Sequence, residues 1–303
     1  MRVEAGEFER IYDPSVGEDE QWYINDHTFV RDHTGTWHLI GITQVEPLNP
    51  KTELHLAHAT APDLHGPWTK QPYALSTDAS LGETHLWAPH VIHHDDRYWM
   101  YVCAGGASPV EYRIHLAMSD DCWNWERHPT NPVIVDGFEA RDPMVLRVGD
   151  RWVMYYTATL SGTDEPSPHI VAAAESDDLV RWSGRHVVYS DEMVGTMAGP
   201  TESPFVIERN GRFFLFIGPN FKEQVESFRT GRWKMQEWGD VPGYRGTTVL
   251  ASNDPLSFDG ANRVGYLDAH AAEVITDVDG STWVSHCGWG QGGVYLAPLS
   301  LVD

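Results

Sequence analysis

Three acids stand at nearly one phase of a recurring pattern, and that shared phase suggests what they do. Asp26, Asp142 and Glu202 each open an apolar, β-prone run: Asn25-Asp26-His-Thr-Phe-Val, Arg141-Asp142-Pro-Met-Val-Leu and Thr-Glu202-Ser-Pro-Phe-Val-Ile. Two more runs keep the pattern, Trp87-Ala-Pro-His90-Val-Ile and His270-Ala-Ala-Glu-Val-Ile. Counted at His27, Pro89, Pro143, Pro204 and Ala272, the steps are 62, 54, 61 and 68 residues. Self-similarity at a fixed period marks a radial or solenoid architecture. In a propeller the first strand of each blade lines the central axis. Asp26 and Asp142, one residue before the counted position, and Glu202 and His270, two before it, then converge. Carboxyls in different electrostatic surroundings can divide acid and base roles. Such a set can serve acid–base chemistry, one carboxyl giving a proton while another takes one.

The elements that must hold these residues follow the same period. After each anchor comes a turn with Gly or Asp and an aromatic-rich run, as in Gly35-Thr-Trp-His-Leu-Ile, Asp96-Arg-Tyr-Trp-Met-Tyr and Gly211-Arg-Phe-Phe-Leu-Phe. Two β-prone runs around such a turn read as a hairpin. A third run follows, such as Arg113-Ile-His-Leu-Ala-Met, and after four of the five copies come a polar turn and an aromatic: Trp68, Trp125, Trp182 and Phe258. The sequence therefore predicts an all-β fold, a five-bladed β-propeller with four-stranded antiparallel blades, forming one domain over residues 1–303. The fifth copy stops after its third strand, at Leu301, so residues 1–20 are expected to supply the missing edge strand. A two-sheet sandwich would explain alternation but not a sixty-residue period with aligned acids.

With 21 basic and 44 acidic residues the formal charge is −23. That excludes nucleic acid and anionic membranes as partners, since phosphate binding needs basic surface. The Asp pairs at 120–121 and 177–178 fall in the repeated turn and read as solvated. Three cysteines, Cys103, Cys122 and Cys287, have no metal-type spacing and suggest a reducing compartment. The N-terminal stretch lacks an apolar secretory segment and no run could span a bilayer. The expectation is a cytoplasmic enzyme meeting short saccharides.

The motifs resemble those of known glycosidases. Asp26-His-Thr-Phe-Val followed by Gly35-Thr-Trp-His-Leu resembles the first-blade motif of glycoside hydrolase family 43. Leu86-Trp87-Ala-Pro-His-Val-Ile with Arg97-Tyr-Trp-Met-Tyr-Val is similar to that family's second-blade signature. Arg141-Asp142-Pro-Met-Val resembles the Arg-Asp-Pro motif that family 43 shares with the β-fructosidases of family 32, and the Glu202 segment resembles the blade-four motif of both. The resemblance covers essentially the whole chain. It departs at His27, where both families usually carry Pro. Asn25-Asp26 leans toward family 32; Trp87-Ala-Pro leans toward family 43.

The resemblance implies that Glu202 is the general acid, Asp26 the base or nucleophile, and Asp142 a third carboxylate that raises the acid's pKa. Like charge nearby disfavours ionisation. Arg141 would grip a hydroxyl pair or temper the negative charge. Asn25, Trp87, His90 and Trp289 are substrate-binding candidates, the two tryptophans as stacking surfaces. The resemblance also suggests an axial His270 that contacts a bound ion such as calcium. No cofactor is expected to be required, since no anchor positions form a three-ligand zinc-type cluster. Asp13 and Glu273 receive no role. The expected activity is an exo-acting α-L-arabinofuranosidase or β-xylosidase on short oligosaccharides. A β-fructofuranosidase with Asp26 as nucleophile is the alternative within the class. A non-catalytic sugar-binding propeller is a further one, against which the complete set of acids argues.

Overall fold

A computed structural model describes residues 1–47, 49–190, 199–220 and 244–302. Two short strands, β1 (Arg2–Ala5) and β2 (Glu9–Tyr12), come first. Blade one is β3 (Trp22–Arg31), β4 (Trp37–Val45), β5 (His55–Ala61) and β6 (Thr69–Ser76). Blade two is β7 (His85–His94), β8 (Arg97–Gly105), β9 (Arg113–Ser119) and β10 (Glu126–Arg127); blade three is β11 (Ala140–Val148), β12 (Arg151–Thr159), β13 (His169–Ser176) and β14 (Ser183–Tyr189). Blade four is β15 (Gly199–Arg209), β16 (Arg212–Asn220), β17 (Gly246–Ser252) and β18 (Arg263–Asp268). Blade five carries β19 (Val274–Thr276), β20 (Thr282–His286) and β21 (Val294–Val302). Each is an antiparallel meander, and the five-bladed propeller expected from the period is what forms.

The second strands sit between neighbouring blades and are apolar on both faces. In β12 every residue after Arg151 is buried, and β8 is nearly so. That is the pattern of strands covered on both sides rather than alternating. Turn chemistry fixes the hairpins: Asp95 and Asp96, like Asn210 and Gly211, have positive φ at both central positions. This is the primed geometry whose twist matches the flanking strands.

The ring closes through its N-terminus. Strand β1 pairs with β21 from Arg2↔Val302 to Ala5↔Leu299, and β2 pairs with the other end of β21. Residues 1–20 thus supply the missing edge, as the truncated fifth copy required. Val3 is 3 % exposed and its carbonyl lies beside Gly265, where an added Cβ would sit 2.7 Å from it. Strand β1 is therefore wedged between blades four and five. Val3→Asp, which buries a carboxylate at this seam, should cost about 2–4 kcal/mol and lower the urea midpoint. An unchanged midpoint would mean that the seam does not hold the ring.

Candidate active site

Four of the five inner strands bend at the phase picked out by the sequence. Pairing with the second strand slips between Asn25 and His27, Trp87 and His90, Arg141 and Met144, and Glu202 and Phe205. The residue before the counted position is left-handed in four blades: Ala88 (φ 46°), Asp142 (φ 55°), Ser203 (φ 49°) and Ala271 (φ 47°). A non-Gly residue there costs roughly 1–3 kcal/mol, and such strain gathers at functional sites. Bulges re-aim side chains, and here all four residues, with Asp26, line one axial recess of about 30 Å³. That volume holds about one water.

The three acids meet at this axis. Ser203 on β15 ties two of them: its hydroxyl donates to Asp26 from across the ring, and its backbone N–H donates to Asp142 at 3.1 Å. Arg141 Nη1 donates to Asp142 and to Glu202, each at 2.7 Å. The single Thr157 hydroxyl hydrogen on β12 is shared between Asp142 at 3.1 Å and the Thr201 carbonyl at 2.8 Å, stitching blade three to blade four. Behind Arg141, Glu139 lies 3.6 Å from its Nε and is hydrogen-bonded by His169 on β13.

Crowding sets the electrostatics. Burial raises the carboxyl pKa of Asp26, with the Ser203 hydrogen bond acting against it. Burial first, and Asp26 next among the raising influences, lift Asp142 against the pull of Arg141. Glu202 is pushed up to about 8, chiefly by burial and then by Asp142 and Asp26, with Arg141 opposing. Asp142 is held by three donors and Asp26 by a hydroxyl and a backbone contact, whereas Glu202 has Arg141 alone among the described residues. Its side chain is also the more open, 17 % exposed against 7 % for Asp142. With a pKa of about 8, Glu202 keeps its proton through neutral pH.

The other expected residues lie farther out. Trp87 packs on His85 (centroids 3.8 Å) and Trp289 on Tyr244 (5.8 Å). Both indole N–H groups are buried without an ordinary hydrogen bond, although both lie near enough to Glu53 to act on its carboxyl. Asn25 is buried with an unpartnered Oδ1. His90 bonds the Val145 carbonyl at 3.3 Å and faces Glu273 at 3.9 Å. It packs against Phe205 and makes no hydrogen bond or ion pair with the three acids. His270 stacks on Tyr244 (4.0 Å), and its Nδ1 meets the Tyr244 carbonyl at 3.1 Å. Burial holds it neutral, with a pKa near 4, which leaves Nε2 as the unprotonated nitrogen. Calcium takes six to eight oxygens, and one imidazole does not supply that donor set. Among the described residues no group of three or more His, Cys, Asp or Glu is placed to hold a metal.

The sequence reading passed over Ser203, Thr157, Glu139 and Glu53. Ser203 and Glu139 had a signal, since both flank the acid motifs. Glu53 had none: its importance appears only where Tyr23 donates to it at 2.6 Å beneath the two indoles, in a site that pushes its pKa to about 7, mainly by burial.

Residues 60–218 match the family model described as Glycosyl hydrolases family 43. A probable arabinan endo-1,5-alpha-L-arabinosidase C of Aspergillus flavus is 28% identical over 230 residues, 65% of this chain and 67% of that protein. A probable sucrose-6-phosphate hydrolase of Psychromonas ingrahamii is 27% identical over 210 residues, 66% of this chain but 36% of that protein. The endo-arabinase of Bacteroides thetaiotaomicron superposes with a TM-score of 0.68 at 14% identity, covering 93% of this chain and 95% of that one, a likeness of fold. No helix among the described residues is long and apolar enough to cross a membrane.

The raised Glu202 pKa has a consequence for stability. A carboxyl at about 4.5 unfolded and about 8 folded stabilises the fold fully below 4.5, and that contribution is lost as pH rises to 8. Glu202→Gln should therefore gain stability relative to the parent between pH 4.5 and 8 and level off above. Melting temperatures of both proteins across that range test this. A constant difference would contradict the assigned pKa.

Proposed function

This chain belongs to glycosyl hydrolases family 43 and is a glycosidase, and from that footing we propose that it hydrolyses α-L-arabinosyl or β-D-xylosyl ends of short oligosaccharides, with Glu202 as general acid and Asp26 as general base. The observation that carries the reading is the junction at Ser203 and Arg141. Blade-to-blade links bring Asp26, Asp142 and Glu202 to one axis, where Glu202 is pushed up to about 8 by burial and its acidic neighbours against the pull of Arg141.

In the step we propose, Glu202 gives its proton to the leaving glycosidic oxygen as the bond to the anomeric carbon breaks. Asp26 takes a proton from the water that attacks the opposite face, so configuration inverts. Asp142 holds Arg141 and keeps negative charge beside Glu202, which favours the protonated acid. Trp87 would offer the sugar a partly exposed ring, and we assign Asn25, Arg141 and Trp289 to substrate binding beside it; His90 is the weakest of these candidates, since its partners are Val145 and Glu273. No divalent metal enters the chemical step, because His270 alone offers a poor cage. The arabinosyl assignment draws on the curated relatives; their names specify chain-cleaving action, and ours specifies release from ends. The sucrose-6-phosphate hydrolase relative supports a second reading, a retaining fructosidase with Asp26 as nucleophile.

Glu202→Gln and Asp26→Asn should each lower kcat on the natural glycoside by about 10²–10⁴-fold while the fold persists. An activated aryl leaving group should restore much of the Glu202→Gln rate and little of the Asp26→Asn rate. Both assays belong in EDTA, under which the parent should remain active. Parent-like rates in either variant, or complete metal-reversible loss in the parent, would contradict the roles.

NMR of the first products from arabino-oligosaccharides, with sucrose assayed alongside, tests substrate and stereochemistry together. Free arabinose of inverted configuration is expected. Di- and trisaccharide products would replace the end-acting mode with a chain-cleaving one, and fructose released from sucrose with retention would move the assignment to the second reading.

A further inference from the structure

Glu139 and His169 lie one shell behind the acids, and the mechanism above gives them nothing to do. Glu139 is buried at the start of blade three, and His169 comes from β13 of the same blade. His169 Nε2 hydrogen-bonds Glu139 Oε1, and its Nδ1 is buried without a partner. The imidazole is committed to that one carboxylate. The same Oε1 lies 3.6 Å from Arg141 Nε, and the other end of the guanidinium, Nη1, holds Asp142 and Glu202.

One guanidinium therefore serves three carboxyls, only one of which has a second charged or ionisable donor. Resting on Glu202 as the acid, we propose that Glu139, anchored by His169, is a positioning residue that draws on Arg141 through Nε and so limits how much positive charge reaches Glu202. The balance matters because Arg141 is the main influence opposing the raised pKa of Glu202. Glu139 itself is held down to about 2 by His169 and then Arg141, against its burial. It is an anion throughout the working range and always competes for the cation.

The groups that bear on the balance can be named among the described residues. Glu202 feels Arg141, Asp142 and Asp26. Arg141 feels Asp142, Glu202 and Glu139. Cys103 on β8 and Tyr112 beside β9 also face Glu139 and Arg141, but burial raises both and keeps them neutral. Tyr244, which feels Glu202, is raised in the same way. Glu53 and Glu273 bear on Asp26, and among the described residues Glu139 is the carboxylate outside the acid set that acts on Arg141.

Two variants should move the alkaline limb of kcat/KM in opposite directions. Glu139→Gln frees Arg141 for Glu202, so the acid loses its proton sooner and the limb moves down by about one pH unit. Glu139→Asp, shorter but still charged, should move it the same way by less. His169→Gln leaves Glu139 leaning more on Arg141, so the limb moves up. KM at low pH should stay within about twofold, and activated aryl substrates should show smaller changes in kcat, as the acid matters less to them. Equal melting behaviour at low pH checks the fold.

A purely structural role would lower kcat in both variants with the limb fixed or shifted the same way, and that overturns the proposal. Glu202→Gln separates the two levels. If the limb survives in that variant, the reading of Glu202 falls and the proposal with it. If the limb vanishes there but stands still in Glu139→Gln, the proposal alone falls.

Discussion

Too many carboxyls around too few cations is the constraint from which the centre of this molecule follows. Asp26, Asp142 and Glu202 crowd the axis with Glu139 one shell behind, and Arg141 is the guanidinium that Asp142, Glu202 and Glu139 share. Like charges at such spacing cannot all ionise in a site sheltered from water. Something must keep a proton, and hydrogen bonding decides what. Asp142 has three donors and Asp26 has a hydroxyl, all of which favour their charged forms, while Glu202 is pushed up to about 8. The division into acid and base that we propose would thus come from neighbours rather than from residue type, the general way in which paired carboxyls acquire different roles.

Holding like charges together needs a frame that does not relax. The left-handed residues at Ala88, Asp142, Ser203 and Ala271 store backbone strain at the rim of the recess, and the rest of each blade must offset it. The strongly apolar second strands supply that rigidity, with Tyr155, Phe214 and Phe216 fully buried between blades. Asp142 suits its place twice, since Asp tolerates the left-handed region better than most residues and supplies the anion. Ala88 and Ala271 have no such excuse, and there the geometry of the bulge prevails over the preference of the residue.

The parts legible in the sequence were those written in its period. One blade is one repeat, so a residue's phase in the repeat is its height on the axis. Asp26, Asp142 and Glu202 could be brought together without knowing any contact. The edge strand from residues 1–20 was legible for the same reason, as a count of strands that came up one short. What phase cannot reveal is partnership. Ser203 meets Asp26 across 177 positions, and Glu139 meets His169 across 30; neither pair shares a register. His90 and His270 show the same limit: each engages one ring nitrogen with a carbonyl, of Val145 and of Tyr244, that no phase in the repeat could have foretold. Glu53 was illegible because its setting under Trp87 and Trp289 is assembled from three blades.

The central claim is that Glu202 holds a proton through neutral pH. Carbon-13 NMR of protein labelled at glutamate carboxyls, with Glu202→Gln used to assign the signal, measures this directly. The account predicts a Glu202 resonance that moves between pH 7 and 9, centred near 8. A resonance that completes its shift near pH 4.5, the ordinary glutamate range, would contradict it.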